Sequence, residues 1–128
     1  MILDTSFLID FLENEDNAVL KGQEMEREEV ALATTTVSLF ELWRGFHELN
    51  RADMEKACAL LDRIRIYPLD ATHAKIGGRI AQALDAQGQS IDPEDAMIAG
   101  IALEQKETIL TRNTKHFGKI PNLSVETY

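Results

Sequence analysis

Short apolar runs alternate with longer stretches of helical periodicity along this chain, and no other feature constrains the fold as much. Met1-Ile2-Leu3, Val30-Ala31-Leu32-Ala33, Ile66-Tyr67-Pro68-Leu69, Thr108-Ile109-Leu110 and Leu123-Ser124-Val125 are too short for helices and read as strands. Pro68 confines its strand to an end or an edge of a sheet. Between the runs, apolar residues recur at helical spacing, as in Phe7, Leu8, Phe11 and Leu12 within 5–13, or Ile76, Ile80, Ala83 and Leu84 within 71–87. Helices are expected also over 17–29, 36–50, 53–64 and 92–105, with a short turn or helix over 113–117. Thr34, Thr35 and Thr36 can cap the third helix, and Asp92-Pro93 make a strong start for the helix over 92–105. Gly77-Gly78 weaken the helix that holds them and would admit a close neighbour. Strands joined by helices pair in parallel, so the expectation is an α/β domain over 1–128 with helices on both faces of the sheet.

With 128 residues the chain suits one core, and 45% apolar against 27% charged residues is a globular balance. No apolar run reaches the roughly 18 residues of a membrane span. The start of the chain lacks the basic region of a secretory signal, and a lone Cys58 gives no disulfide framework. A reducing, cytoplasmic setting is expected. The net charge of −9 excludes indiscriminate nucleic-acid binding. The charge is uneven: residues 1–29 carry nine acidic and two basic side chains, whereas 43–79 and 108–128 are each net +2. A polyanion could approach those later segments, although ordinary solubilising charge explains them too.

In open parallel sheets, ligands bind beyond the carboxyl ends of the strands. That rule selects Asp4, Thr34 to Thr36, and Thr111 to Asn113. Asp4 taken alone reads as a helix N-cap. Glu41 lies in Val37-Ser38-Leu39-Phe40-Glu41-Leu42-Trp43-Arg44-Gly45, bracketed by large apolar residues. It is either a carboxylate at the polar edge, paired with Arg44 or Arg112, or a half-buried functional group. Asp92 fits the N-cap of its helix. Asp95 shares a face with Ile98, Ala99 and Ala102 on a helix apolar nearly all round, and points inward. Asn113 alone reads as a turn residue.

Asp4, Glu41 and Asp95 come from three distant segments and converge on one edge of the sheet. Gathered carboxylates repel one another unless a cation neutralises them. An all-oxygen acidic pocket suits Mg²⁺ or Mn²⁺. His47, His73 and His116 lack zinc-site spacing, and the chain has neither a GxxxxGK[ST] loop, a GxGxxG turn nor a GxSxG elbow.

Ile2-Leu3-Asp4-Thr5-Ser6, then Thr35-Thr36-Val37-Ser38-Leu39-Phe40-Glu41-Leu42 with Gly45, then Asp95-Ala96-Met97-Ile98-Ala99-Gly100, then Leu110-Thr111-Arg112-Asn113 with Phe117, resemble the motifs of PIN domains. Their order and spacing are similar to those of the VapC toxins of toxin–antitoxin pairs. The resemblance implies a three-layer fold on a five-stranded parallel sheet, and a Mg²⁺-dependent endoribonuclease, with Mn²⁺ as a substitute. Asp4, Glu41 and Asp95 match the metal-site acids and Asn113 the fourth motif; His116 stands where an acid often follows. Thr5, Ser6, Ser38 and Thr111 would support the ligands, and Arg112 and Lys115 would contact RNA phosphates. The family also implies a homodimer and a small VapB-like antitoxin bound in a groove; Phe40, Trp43 and Phe46 supply apolar surface. Two other readings remain: a receiver-like phosphoacceptor domain that binds Mg²⁺, and a catalytically silent binding subunit of the same fold.

Overall fold

The computed structural model describes residues 1–45 and 50–128. Five strands form one parallel sheet: β1 (Ile2–Leu3), β2 (Ala33–Thr35), β3 (Arg65–Tyr67), β4 (Ile109–Leu110) and β5 (Val125–Glu126), in the order β3-β2-β1-β4-β5. Seven helices stand among the described residues: α1 (Thr5–Leu12), α2 (Asp16–Arg27), α3 (Thr36–Arg44), α4 (Arg51–Leu61), α5 (Ala71–Ala86), α6 (Pro93–Gln105) and α7 (Thr114–Phe117).

The pleat of the two central strands divides the molecule into layers. Ile2 and Ile109 point into a core with Val37, Leu84, Ile98, Ile101 and Phe117. Leu3 and Leu110, one residue on, point the other way, into a core with Phe7, Leu8, Ala18 and Met25. The chain builds outward from β1 to β2 and β3, then returns past β1 to lay down β4 and β5. The switch therefore falls between β1 and β4, which is where open α/β sheets form their crevice. This order also differs from the 2-1-3-4-5 arrangement of flavodoxin-like domains, to which receivers belong.

Three expectations need correcting. The second strand starts at Ala33, three residues later than the apolar run suggests. Thr34 and Thr35 are fully buried in it, and the Thr34 hydroxyl donates to the Leu3 carbonyl at 2.9 Å, which ties the strand to β1 through a residue beyond the apolar run. The last strand is likewise Val125–Glu126 rather than 123–125; Leu123 packs on the core from outside the ladder. The third helix ends at Arg44 with Gly45 as its C-cap, short of Asn50. Asn50 instead starts α4, where its side chain accepts from the Asp53 N–H at 3.0 Å. Phe46 and His47 lie outside the described residues. Pro68 does end an edge strand as expected. No helix among the described residues is long and apolar enough to cross a membrane.

Candidate active site

The carboxyl ends of β1 and β4 deliver Asp4 and Thr111 side by side. Asp4 Oδ2 accepts from the Thr111 hydroxyl at 2.7 Å and from the Ser6 hydroxyl at 2.8 Å. The Thr111 oxygen in turn takes the Asn113 N–H at 2.9 Å, which fixes the turn after β4. From α3, Glu41 Oε1 receives the Thr5 hydroxyl at 2.7 Å. From the first turn of α6, Asp95 Oδ2 lies 3.0 Å from Asn113 Nδ2, which donates to it, and 2.6 Å from His116 Nδ1. Asp4 and Asp95 are 4% and 8% exposed, so these carboxylates are held inside the crevice rather than on a solvated face.

Helix starts show which side chains serve the site. Glu15, Thr35, Asn50 and Asp70 occupy N-cap positions, and each accepts a backbone N–H of its own helix. Asp4, Asp92 and Asn113 occupy N-cap positions too, and none makes a side-chain capping bond. A missing cap costs about 1 kcal/mol of helix stability. Asp4 and Asn113 use their polar atoms on the cluster instead. Asp92 is turned the same way: one carboxylate oxygen of Asp92, one of Asp95 and a ring nitrogen of His116 all lie within 4.8 Å of one another. The reading of Asp92 as a side-chain cap is thus corrected, and it joins the residues the sequence did not single out. Its signal was the i, i+3 spacing from Asp95, which puts both on one helix face.

The remaining expected residues fall into two groups. Thr5, Ser6 and Thr111 touch the carboxylates as described. Ser38 does not; it is buried against the Thr35 hydroxyl at 3.1 Å and belongs to the cap of α3. Arg112 stands at the mouth, its backbone N–H on Ser6 Oγ at 3.3 Å and its guanidinium on Asp10 rather than Glu41. Lys115 is exposed on α7.

Burial raises the pKa of Glu41 above the ordinary range, helped by the nearby charges of Asp4 and Asp95. Burial likewise raises that of Asp95, with Asp4 adding to it and His116 opposing it. Both groups bind protons more readily in the folded chain than unfolded, so their contribution to stability is largest when protonated. It is lost as pH rises through the ordinary carboxylate range into the raised values. In EDTA, therefore, Asp95→Asn should gain stability relative to the unsubstituted protein as pH rises from about 4 to 7. Urea melts across that range measure the difference; parallel curves would refute it.

The donor set fits a hard divalent cation. The hydrogen bonds described above to Asp4, Glu41 and Asp95 fall on one oxygen of each. Among the described residues, the potential ligand atoms that lie within 4.8 Å of one another are those of Asp92, Asp95 and His116, while Asp4 and Glu41 are near enough for charge to pass between them and Asp95; acidic oxygens of this kind suit Mg²⁺ or Mn²⁺.

A family model described as PIN domain matches residues 1–123. Ribonuclease VapC19 of Mycobacterium tuberculosis is 29% identical over 122 residues, 95% of this chain and 95% of that protein. Among solved structures, VapBC2 from Rickettsia felis bound to a DNA fragment from their promoter aligns with a TM-score of 0.85 at 24% identity, covering 99% of this chain and 97% of that one. A toxin–antitoxin complex from Klebsiella pneumoniae aligns with a TM-score of 0.77 at 23% identity, over 98% and 95%.

Proposed function

The chain belongs to the PIN domain family, and on that premise we propose that it is a metal-dependent endoribonuclease of the cytoplasm, the toxin of a toxin–antitoxin pair. One observation carries the reading. Three helix-start residues, Asp4, Asp92 and Asn113, forgo side-chain capping; at the sheet's switch point Asp4 accepts the Thr111 hydroxyl instead and Asn113 donates to Asp95. A relative matching nearly end to end is named a ribonuclease.

Asp4, Glu41 and Asp95 would hold a divalent cation, Mg²⁺ with Mn²⁺ as its substitute. The bound ion would neutralise charge on a phosphodiester and acidify a water for in-line attack. The protein's own groups set up that chemistry. Hydroxyls of Thr5, Ser6 and Thr111 hold the carboxylates in place, a supporting role that commonly changes metal affinity or activity by about 10–100-fold. Asn113 and His116 orient Asp95 from the corner opposite Asp4. Arg112 and Lys115 would meet RNA phosphates at the mouth.

Partners follow from apolar surface. A cavity of about 790 Å³ opens beside α2 and α4, lined by Phe7, Phe11, Val19, Met25, Leu60 and Ile64. It would take an apolar segment of a VapB-like antitoxin. Phe40 and Trp43, 59% and 48% exposed on α3, would lie in the interface of a homodimer.

The test is digestion of total RNA by the purified protein, with the ends sequenced. Cleavage should vanish in EDTA and return with Mg²⁺ or Mn²⁺, and the preparation should sediment as a dimer at micromolar concentration. RNA binding by a non-cleaving Glu41→Gln variant should weaken in EDTA and depend only shallowly on salt, with a log–log slope of about 2 to 3. Metal-independent cleavage would overturn the reading. Binding with no cleavage under any metal would favour the silent subunit.

A further inference from the structure

Arg112 is held by two residues that the site described above does not use. Asp10, on α1, is 4% exposed, and a carboxylate so buried needs partners for both oxygens. One oxygen takes the Arg112 guanidinium. The other accepts the Tyr128 hydroxyl at 2.6 Å. Tyr128 lies just beyond β5, its ring edge-on to Phe7 with centroids 5.0 Å apart and planes at 85°, so the phenol is fixed by the core of α1. Burial and the Asp10 carboxylate raise the pKa of this hydroxyl well above its ordinary value, so it stays a donor throughout the useful pH range. The far end of the network meets the carboxylate cluster, because Ser6 Oγ accepts the Arg112 N–H and donates to Asp4.

We propose that Asp10 and Tyr128 are positioning residues that set the Arg112 guanidinium at the mouth of the crevice, ready for a phosphate of the RNA strand. The inference rests on the ribonuclease reading. A guanidinium carries five N–H donors in a rigid fork. Asp10 engages one side of it, while the Arg112 side chain remains 59% exposed, so donors stay open to a ligand. Held in this way, the side chain loses little rotamer freedom when it meets a phosphate. Asp10 offsets part of the charge, and what remains is direction: a fork fixed at a chosen point beside the cluster. Such a contact suits a chain of net charge −9, which cannot rely on a diffuse basic surface to seat its substrate.

The experiment uses a single-stranded RNA oligonucleotide that the full-length protein cleaves, chosen from its digest of total RNA. Arg112→Ala should raise KM about tenfold with kcat little changed, and should flatten the log–log salt dependence of binding by about 0.7, the share of one phosphate contact. Tyr128→Phe should raise KM about threefold at unchanged kcat, yet leave the salt slope intact because the charge is still present. In an Arg112→Ala background, Tyr128→Phe and Asp10→Asn should add nothing further to KM, which is the coupling expected of residues acting through one another. Tyr128→Phe removes a single oxygen and keeps the test valid if Asp10→Asn fails to fold. A Tyr128→Phe protein that melts lower with KM unmoved would make the network merely structural and overturn the inference. So would a KM effect of equal size with and without Arg112. Both outcomes require an active parent enzyme, so they are distinct from failure of the ribonuclease reading; a parent that neither binds nor cleaves RNA would overturn both.

Discussion

Asp95→Asn is expected to abolish metal-dependent RNA cleavage, by roughly 10³-fold or more, the scale on which a group acting at the reacting centre is lost. The substitution keeps shape, and the amide can still bond to the neighbours of the carboxylate. What it deletes is the buried charge that the first turn of α6 brings into the crevice. Asp95 is 8% exposed, and burial raises its pKa, with the charge of Asp4 adding to the effect. Removing that charge relieves repulsion in the metal-free protein, so the variant should remain folded and melt at or above the parent in EDTA. Stability and activity thus move in opposite directions, which a mutation that merely damages the fold cannot mimic. Asp92→Asn is the graded control. Its carboxylate reaches the same corner but stands exposed, so a loss of about tenfold is expected, in keeping with a supporting role. Cleavage rates on one RNA substrate, with circular dichroism melts of each variant, decide the matter. Wild-type cleavage by Asp95→Asn would remove Asp95 from the mechanism.

The architecture was legible because a helical periodicity separates each strand from the next, which leaves parallel pairing as the workable solution. Strand edges were less legible. An apolar run marks where a chain is buried, while the ladder took Thr34 and Thr35; the Thr34 hydroxyl found the Leu3 carbonyl, a partner that only the tertiary structure supplies, and the Thr35 hydroxyl caps α3. The candidate site divided along a similar line. Asp4, Glu41 and Asp95 could be picked out because charge sat against apolar surroundings. Asp92 could not, since a helix start already explained it; only the missing capping bond separates a cap from a residue with another task. Asp10 and Tyr128 lie 118 residues apart, and no spacing rule joins them. Ser38 was assigned a supporting role by the family resemblance, yet its hydroxyl lies on that of Thr35.

Gly100→Ala is expected to lower stability by about 2–3 kcal/mol, near the upper range for overpacking a closed interface. The sequence pointed to close approach at Gly77-Gly78, and the structure divides that pair. A Cβ on Gly100 would sit 2.5 Å from the His73 carbonyl oxygen and 2.9 Å from the Gly77 nitrogen, both backbone atoms of α5. A Cβ on Gly77 would meet the Ala96 carbonyl oxygen at 2.8 Å. The two helices therefore touch glycine to glycine, backbone on backbone, where no side chain can rotate away to make room. Against the clash stands the gain of about 1 kcal/mol that alanine brings to a helix interior, which is too small to offset it. For a chain of this size the melting point should fall by roughly 10 °C. Gly78 has nothing within 4 Å of its Cβ position, so Gly78→Ala keeps the helix-propensity gain alone and should stabilise by about 0.5–1 kcal/mol. Activity should follow stability only for Gly100→Ala, because α6 carries Asp95 at its first turn and a shift against α5 would move the carboxylate away from Asn113 and His116. Thermal melts of the two alanine variants with opposite signs would establish the contact; equal shifts would show that the helices can slide apart to accept a methyl group.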